Sequence, residues 1–169
     1  MVLLPEKIVA QAEALCQQRQ VRLTPQRQEV LRLMAVHQRA ISAYDLLDLL
    51  RTNEPQAKPP TVYRALEFLL EQGFIHRVES TNSYVVCHHF DHPSHTSAML
   101  VCDRCGVVSE QHAEGVEVIL SELAHTSGFA LTHSVIEAHG LCNACITAKA
   151  CTDHEHCDHD HSIENSKKR

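Results

Sequence analysis

The sequence lacks tryptophan, has few other aromatic residues and contains no long apolar run. A helix that crosses a membrane needs about 20 predominantly apolar residues in succession, and no segment approaches that length. The opening stretch, Met1–Lys7, is too short and becomes polar too soon to act as a secretory signal. These absences exclude a membrane partner, and we expect a soluble, cytoplasmic protein.

Positive charge is also scarce, because 15 Lys and Arg residues face 21 Asp and Glu residues for a formal net charge of -6. The shortage is uneven along the chain. Up to Ser80 there are ten basic and nine acidic residues, and beyond it five and twelve. Nucleic-acid-binding proteins carry clustered basic side chains, so the near-neutral first half is still able to bind DNA.

Cysteine, in contrast, is plentiful, with eight residues in a chain of 169. Without a secretory signal, we expect these thiols to bind metal in a reducing compartment rather than to form disulfides. Four of them form two Cys-x-x-Cys pairs, Cys102 with Cys105 and Cys142 with Cys145. This spacing predicts a closed tetrahedral zinc site, and because no position stays open for a substrate, the zinc is expected to be structural.

Apolar residues recur at helical spacing four times between residues 6 and 72, which predicts four helices. Thr24 and Ser42 are placed to cap the second and third of them. The stretch 52–60 is a turn by composition, and Gly73 is expected to end the fourth helix. The third and fourth helices therefore form a helix-turn-helix.

Two short strand-like runs, Ile75–Val78 and Tyr84–Cys87, follow the fourth helix and are separated by a polar turn. They should pair as a hairpin beside that helix. The helix-turn-helix and this hairpin together predict a winged helix-turn-helix, whose second helix enters the major groove of DNA.

The remaining sequence predicts a small α/β unit with strands at Ser97–Val101, Val107–Glu110 and Ala130–Ala138 and a helix that ends near Gly128. Its exposed helix and sheet edge suit dimerisation. From Ile146 the chain is charged, His-rich and without periodicity, which predicts a mobile tail. We therefore expect an α+β protein in four parts: an N-terminal winged-helix DNA-binding domain (1–87), a hinge (88–96), a small C-terminal α/β dimerisation domain with structural zinc (97–150) and a tail (151–169).

The N-terminal end of the fourth helix is predicted to contact DNA bases. Arg64 is the candidate for base readout, since an arginine can bond a guanine bidentately, a contact worth roughly 1–3 kcal/mol of discrimination. Further contacts to bases or phosphates are expected from three residues: Tyr44, Lys58 and Tyr63. Arg22 and Arg27 could reach phosphates, or could be surface residues without a partner.

The hairpin suggests a second metal site. Its pairing would bring His76 on the first strand close to Cys87 on the second. Histidines of the following linker could join them: His88, His89, His92 and His95. Which of these histidines takes part stays open.

At several places the sequence resembles the ferric uptake regulator family. The shared motifs, in the family's order, are Leu23–Arg27, Thr61–Leu66, Gly73–Ile75 and both Cys-x-x-Cys pairs. The similarity spans nearly the whole chain. Within the family the sequence is most similar to the zinc uptake regulator branch, through Lys58–Arg64, Val78–Tyr84 and Cys87.

That resemblance implies a zinc-responsive transcriptional repressor and not an enzyme. A regulatory zinc at the hinge would be bound by His76, Cys87, His95 and Glu110, beside the structural zinc, giving two Zn(II) per chain. One thiolate, two imidazoles and one carboxylate form a set that zinc accepts well, whereas iron sensors favour nitrogen and oxygen ligands. Zn(II) would act as corepressor, locking a homodimer on double-stranded operator DNA upstream of zinc-uptake genes, with no small-molecule substrate other than zinc.

Other functions stay open at this point. An iron- or peroxide-sensing regulator of the same family is the nearest alternative, and a zinc-stabilised interaction module is another. A nucleobase deaminase fits poorly, because such enzymes keep an open zinc position and carry Pro before Cys-x-x-Cys, which neither Cys102 nor Cys142 has.

His139 could support the second cysteine pair. The tail holds residues that could bind zinc weakly or simply be tolerated: Cys151, His154, His156, Cys157, His159 and His161.

Overall fold

The computed structural model describes residues 4–37, 39–90, 97–131 and 134–151 of the chain. The fold is α+β, with helices and strands in the following order: α1 (Pro5–Gln18), α2 (Pro25–His37), α3 (Ala43–Asn53), α4 (Pro59–Glu71), β1 (Ile75–Val78), β2 (Ser83–Val86), β3 (Ser97–Cys102), β4 (Val108–His112), α5 (Val116–Thr126), β5 (Ile136–Gly140) and α6 (Asn143–Cys151). No helix within these ranges is long and apolar enough to cross a membrane.

Side-chain caps begin α2 and α3, as the sequence predicts. The Thr24 hydroxyl accepts a hydrogen bond from the Arg27 N–H at 3.4 Å, and the Ser42 hydroxyl accepts one from the Asp45 N–H at 3.1 Å. Each bond satisfies an N–H that the helix itself leaves unpaired. In contrast, α4 begins at Pro59, inside the predicted turn, because a proline in the first turn has no N–H to leave unpaired.

The first four helices enclose the main apolar core. Ile8, Leu31, Leu66 and Leu69 are among its largest fully buried side chains, and Cys16 is buried in α1, as predicted. Full burial of side chains of this size is worth roughly 1.5–3 kcal/mol each. The core therefore holds α4 firmly against the helices that precede it.

Helix α4 passes directly into the first strand of the hairpin. Gly73 has a φ of 72°, and its N–H donates to the Leu70 carbonyl while the Phe74 N–H donates to the Leu69 carbonyl. This is a Schellman motif, and its left-handed residue is a glycine because other residues are strained there. His76 follows Gly73 by only three residues.

Strands β1 and β2 pair antiparallel and are joined by the 3-10 turn Glu79–Thr81. We call this hairpin with its turn the wing. Tyr84 of β2 also forms a β-bridge with Ile41, which ties the wing to the helices. The winged helix-turn-helix predicted from the sequence is confirmed.

The second sheet has the order β4-β3-β5, with β4 antiparallel and β5 parallel to β3. Met99 in the central strand lies opposite Glu110 on β4 and Glu137 on β5. Neighbouring residues across a sheet point to the same face, so these three side chains share the face that meets the wing. The contact between wing and sheet is a small apolar cluster: Val78, Val85, Met99 and Val101.

Two elements of this C-terminal part differ from the sequence-based expectation. Strand β5 is Ile136–Gly140 instead of Ala130–Ala138, because its extent is set by pairing with Ala98–Cys102 of β3. The chain after Ile146, expected to be a mobile tail, continues as α6 to Cys151. That helix starts between two cysteines held by the rest of the fold, so tertiary contacts stabilise a sequence that lacks apolar periodicity.

Helix α5 has apolar residues that nothing in the described chain covers. It buries none of its residues, and Ile119 and Leu123, one turn apart, are 57% and 60% exposed. Phe129, just beyond the helix, is 66% exposed. Exposed apolar side chains this close together are typical of a protein-protein contact surface.

Candidate metal centres and nucleic-acid interface

The four cysteines of the two Cys-x-x-Cys pairs converge on one point, and we call them the cysteine cluster. Their sulfur atoms all lie within 4.8 Å of one another. The Sγ atoms of Cys105 and Cys142 are 3.7 Å apart, and sulfurs bound tetrahedrally at about 2.3 Å from one zinc lie roughly 3.8 Å apart. The donor set and its spacing therefore fit zinc.

The backbone around the cluster is arranged to receive the sulfurs. The N–H of Cys142 donates to the Sγ atom of Cys102 at 3.3 Å, and the Arg104 guanidinium donates to the Cys145 carbonyl at 3.1 Å. Backbone N–H groups, first that of Cys105 and then that of Cys142, lower the pKa of the Cys102 thiol to about 6. Burial raises the pKa of Cys145 to about 12. A metal that binds here would thus meet one ready thiolate and displace protons from others.

His139 supports the cluster from outside. Its Nδ1 atom lies 3.1 Å from Oδ1 of Asp103, the residue that follows Cys102 in the first pair. The sequence suggested that His139 would support the second pair, but the histidine contacts the first. The parallel pairing of β3 and β5 explains the difference, since it places His139 opposite Val101.

Three further ligand types meet where the wing contacts the sheet, and we call them the hinge cluster: His76, Cys87 and Glu110. Their candidate ligand atoms also lie within 4.8 Å of one another. Strand alternation places His76 on the same face of β1 as Val78, which packs on the sheet. Glu110 reaches the same place because it lies opposite Met99 on β4. The hairpin reasoning brought His76 and Cys87 together, whereas Glu110 rested mostly on the resemblance to the family.

Glu110 is the centre of the hydrogen bonding in the hinge cluster. Its carboxylate accepts from His76 Nε2 at 2.9 Å, from the Ser97 hydroxyl at 2.5 Å and from the His88 N–H at 3.1 Å. Burial acts to raise the pKa of Glu110, but these hydrogen bonds outweigh it and hold the pKa well below the usual range. The carboxylate is therefore ionised and available as an oxygen ligand at neutral pH.

The other candidate ligands are the histidines of the linker after β2. His92 and His95 lie outside the described residues. His88 and His89 contribute backbone N–H groups, to Glu110 and to the Cys87 sulfur respectively. Ser97 was missed from the sequence, because its hydrogen bond to Glu110 depends on the pairing of β3 with β4, which places the two side chains on one face of the sheet.

The candidate DNA-contacting side chains all lie on the surface. Tyr44 is 67% exposed and Tyr63 43% exposed, and Lys58 and Arg64 are exposed as well. Val62 is fully buried, so the first turn of α4 turns Tyr63 and Arg64 outward. Their contacts with DNA stay a prediction.

Arg27 has an internal role in the structure. Its guanidinium lies 3.7 Å from the centroid of the Phe68 ring and donates to the Arg22 carbonyl at 2.7 Å. A stacked and hydrogen-bonded guanidinium of this kind packs the protein itself. Arg22, the other arginine considered for phosphate contacts, is exposed, and a phosphate contact of either arginine stays a prediction.

A winged helix-turn-helix joined to two clusters of metal-ligating residues defines a metal-binding protein of the DNA-binding class. The model of the Ferric uptake regulator family matches residues 18–139, and the chain belongs to that family. The chain is 68% identical over 163 residues to the Zinc uptake regulation protein of Escherichia coli (strain K12), covering 96% of this chain and 95% of that protein.

Solved structures share the fold over most of its length. A zinc uptake regulator complexed with zinc and DNA matches with a TM-score of 0.86 and 69% sequence identity, over 88% of this chain and 99% of that chain. The structure of holo XcZur matches with a TM-score of 0.78 and 41% identity, over 83% of this chain and 98% of that chain. The fold of this chain is therefore similar to that of a zinc uptake regulator complexed with zinc and DNA.

Proposed function

We propose that this protein is a zinc-responsive transcriptional repressor, in which Zn(II) acts as corepressor and a homodimer binds operator DNA upstream of zinc-uptake genes. The observation that carries the proposal is the hinge cluster. Its residues come from β1, from the segment after β2 and from β4, and their ligand atoms lie within 4.8 Å of one another. The 68% identity to the E. coli zinc uptake regulation protein supports the same conclusion.

The donor chemistry favours zinc at both clusters, and we propose two Zn(II) per chain. Bound zinc would supply a four-coordinate centre that accepts sulfur, nitrogen and oxygen donors together. Cys87 provides the thiolate, His76 an imidazole and Glu110 a carboxylate oxygen. We assign the fourth position to His95 on the resemblance to the family. The thiolate disfavours the alternative of an iron sensor, whose ligands would be nitrogen and oxygen.

The chain's own residues connect the hinge cluster to DNA binding. His76 follows the end of α4 by a few residues, and Glu110 lies on β4, the strand that precedes α5. When both side chains are held at one point, α4 has a fixed orientation relative to the sheet. Dimeric helix-turn-helix proteins bind half-sites about one helical turn apart, so a fixed separation of the two reading helices removes an ordering cost at binding. Coupling of this kind is typically worth about 1–3 kcal/mol.

The proposed parts of the chain keep the sequence-based division. Residues 1–87 would bind DNA through Tyr44, Lys58, Tyr63 and Arg64, with 88–96 as hinge and 97–150 as dimerisation unit. The exposed apolar side chains of α5 support a homodimer, because a second copy would cover them in a symmetric contact. The remaining residues, 151–169, would form the tail.

The test is Cys87→Ser, with His37→Ala as the matched control, since His37 is an exposed histidine at the end of α2. The DNA probe is a duplex selected from a random pool by the zinc-loaded wild type. We expect wild type and His37→Ala to bind it in a zinc-dependent manner and Cys87→Ser to lose that dependence. Full zinc-dependent binding by Cys87→Ser would remove the hinge cluster from the mechanism. Iron in protein purified from cells would instead favour an iron or peroxide sensor, and binding to all duplexes alike would favour an interaction module.

A further inference from the structure

The carboxylate of Glu137 holds the turn of the wing. Its Oε1 atom accepts a hydrogen bond from the Glu79 N–H at 2.5 Å, and its Oε2 atom accepts one from the Ser80 N–H at 3.3 Å. Glu79 and Ser80 begin the 3-10 turn between β1 and β2, and Glu137 lies on β5 of the other sheet. One side chain of the C-terminal sheet thus satisfies two consecutive backbone N–H groups of the wing.

The strand register places this carboxylate opposite the hinge cluster. Met99 pairs with Glu110 on one side and with Glu137 on the other, so the two carboxylates flank it on one face of the sheet. Glu110 contacts His76 near the start of β1, whereas Glu137 contacts the turn at the end of β1. Polar contacts therefore attach the wing to the sheet at two separate points along β1, in addition to the apolar cluster.

The contact with Glu137 carries charge, and the carboxylate is largely covered although the turn residues Glu79 and Ser80 are exposed. The Glu137 side chain is 11% exposed, and the apolar contact of Val78 with Met99 lies beside it. Burial acts to raise the pKa of Glu137, but hydrogen bonds from the Ser80 side chain, from the Glu79 and Ser80 N–H groups and from His139 lower it below its ordinary value. The group is an ionised acceptor, and hydrogen bonds to a charged acceptor are about twice as strong as neutral ones.

Glu137 is also connected to the cysteine cluster. His139 lies between two carboxylates, with Nε2 at 3.5 Å from Glu137 and Nδ1 at 3.1 Å from Asp103. Asp103 stands between Cys102 and Cys105, and its N–H donates to the Gly140 carbonyl at 2.8 Å. The carboxylate that holds the wing turn therefore rests on the part of the sheet that the four cysteines fix.

We infer that Glu137 is a positioning residue, which clasps the wing turn to the sheet and so keeps His76 and Glu110 at ligating distance from each other. This inference rests on the proposed function of the hinge cluster as the regulatory zinc site. Without the clasp, only the apolar contact of Val78 would hold the end of β1 on the sheet, and the turn beyond it would be unattached. The hinge cluster would then have to order the wing when zinc binds, which weakens its affinity for zinc.

The test compares Glu137→Ala and Glu137→Gln with Glu114→Ala, a control that removes an exposed carboxylate from the turn before α5. The first readout is amide hydrogen exchange of Glu79 and Ser80, followed by NMR in the full chain. The second is the zinc affinity of the hinge cluster, measured against a competing chelator with the cysteine cluster loaded. We expect Glu137→Ala to lose protection at both amides and to bind hinge zinc at least about fivefold more weakly. Glu137→Gln should be intermediate, because its amide oxygen can still accept one of the two hydrogen bonds.

Unchanged hinge zinc affinity in both Glu137 variants would overturn the positioning role, even if the turn amides lose protection. A loss of zinc from the cysteine cluster in Glu137→Gln would also overturn it, since the residue would then support the fold in general. DNA binding separates this inference from the proposed function. If zinc-loaded wild type does not bind DNA, the proposed function is wrong, while the exchange and zinc measurements still decide whether Glu137 clasps the wing.

Discussion

The Nε2 atom of His76 lies 2.9 Å from the Oε1 atom of Glu110, so a histidine of the wing and a carboxylate of the sheet meet directly. Glu110 is the more buried partner, with its side chain only 4% exposed. Its pKa lies well below the usual range, because hydrogen bonds from His76, Ser97 and the His88 N–H outweigh the effect of burial. Proton binding at this carboxylate is therefore coupled to the contact between wing and sheet.

The first prediction concerns pH. A carboxylate whose pKa is lower in the folded than in the unfolded state stabilises the fold above the unfolded value, about 4.3 for Glu, and this contribution is lost as the pH falls toward the folded value. With the hinge free of zinc, wild type should lose roughly 1–3 kcal/mol more unfolding free energy than Glu110→Gln below about pH 4. Urea unfolding at a series of pH values measures the difference. Glu114→Gln should follow wild type, and a Glu110→Gln profile parallel to wild type would contradict the prediction.

The second prediction separates the two metal clusters. Cys142→Ser should lower the zinc content by about one ion per chain and speed amide exchange at the C-terminal end of β5, because Cys142 follows that end and Gly140 lies opposite Cys102. Cys87→Ser should also lose about one ion but leave β5 protected. Metal analysis and hydrogen exchange on the same samples check this. If both variants show the same exchange pattern, the cysteine cluster is not the structural site.

The third prediction distinguishes base readout from phosphate contact. Arg64→Ala should weaken binding to the selected duplex by roughly 1–3 kcal/mol and relax the preference for one base pair. Lys58→Ala should weaken binding to all duplexes alike and reduce the salt slope by about 1. Arg64→Lys is the control that retains charge without the bidentate geometry. Competition titrations at several salt concentrations measure these effects, and an Arg64→Ala variant that keeps its base preference would assign Arg64 to the phosphate backbone.

The fourth prediction concerns the exposed apolar residues of α5. The Leu123 side chain is 60% exposed in the single chain and would be buried between two copies in a dimer. Leu123→Glu would place a negative charge at that interface. The change should cost at least about 2 kcal/mol of association free energy, as substitution at a central interface residue does. Val36→Glu, at a side chain 56% exposed on α2, should leave assembly unchanged. Sedimentation equilibrium measures the dimer content of the two variants. Equal dimer content in Leu123→Glu and Val36→Glu would place the interface elsewhere.

Local patterns were sufficient for the N-terminal part of the fold. The caps at Thr24 and Ser42, the stop at Gly73 and the hairpin after it depend on neighbouring residues, and the structure has them all. Proximity of His76 and Cys87 followed from the same hairpin. These features could be predicted because each is set within a few residues of the chain.

The features that escaped prediction depend on contacts distant in sequence. The start of β5 is set by β3, and α6 exists where apolar periodicity is weak because Cys142 and Cys145 hold its first turn. Ser97 and Glu137 have no local signal at all, since their partners lie on other strands or in the wing. Only the register of the sheet shows what these two side chains do.

The Schellman motif at Gly73 connects α4 to the wing without a flexible linker. Two backbone hydrogen bonds close the end of α4, and the candidate ligand His76 follows Gly73 by three residues. The helix therefore cannot rotate relative to the wing while His76 is bound to a metal. In the proposed function, the zinc ligand His76 and the DNA-contacting helix α4 would then move as one rigid unit. No slow rearrangement would separate zinc release from the loss of DNA binding. The delay before transcription resumes would be governed by how long the ion resides at the hinge.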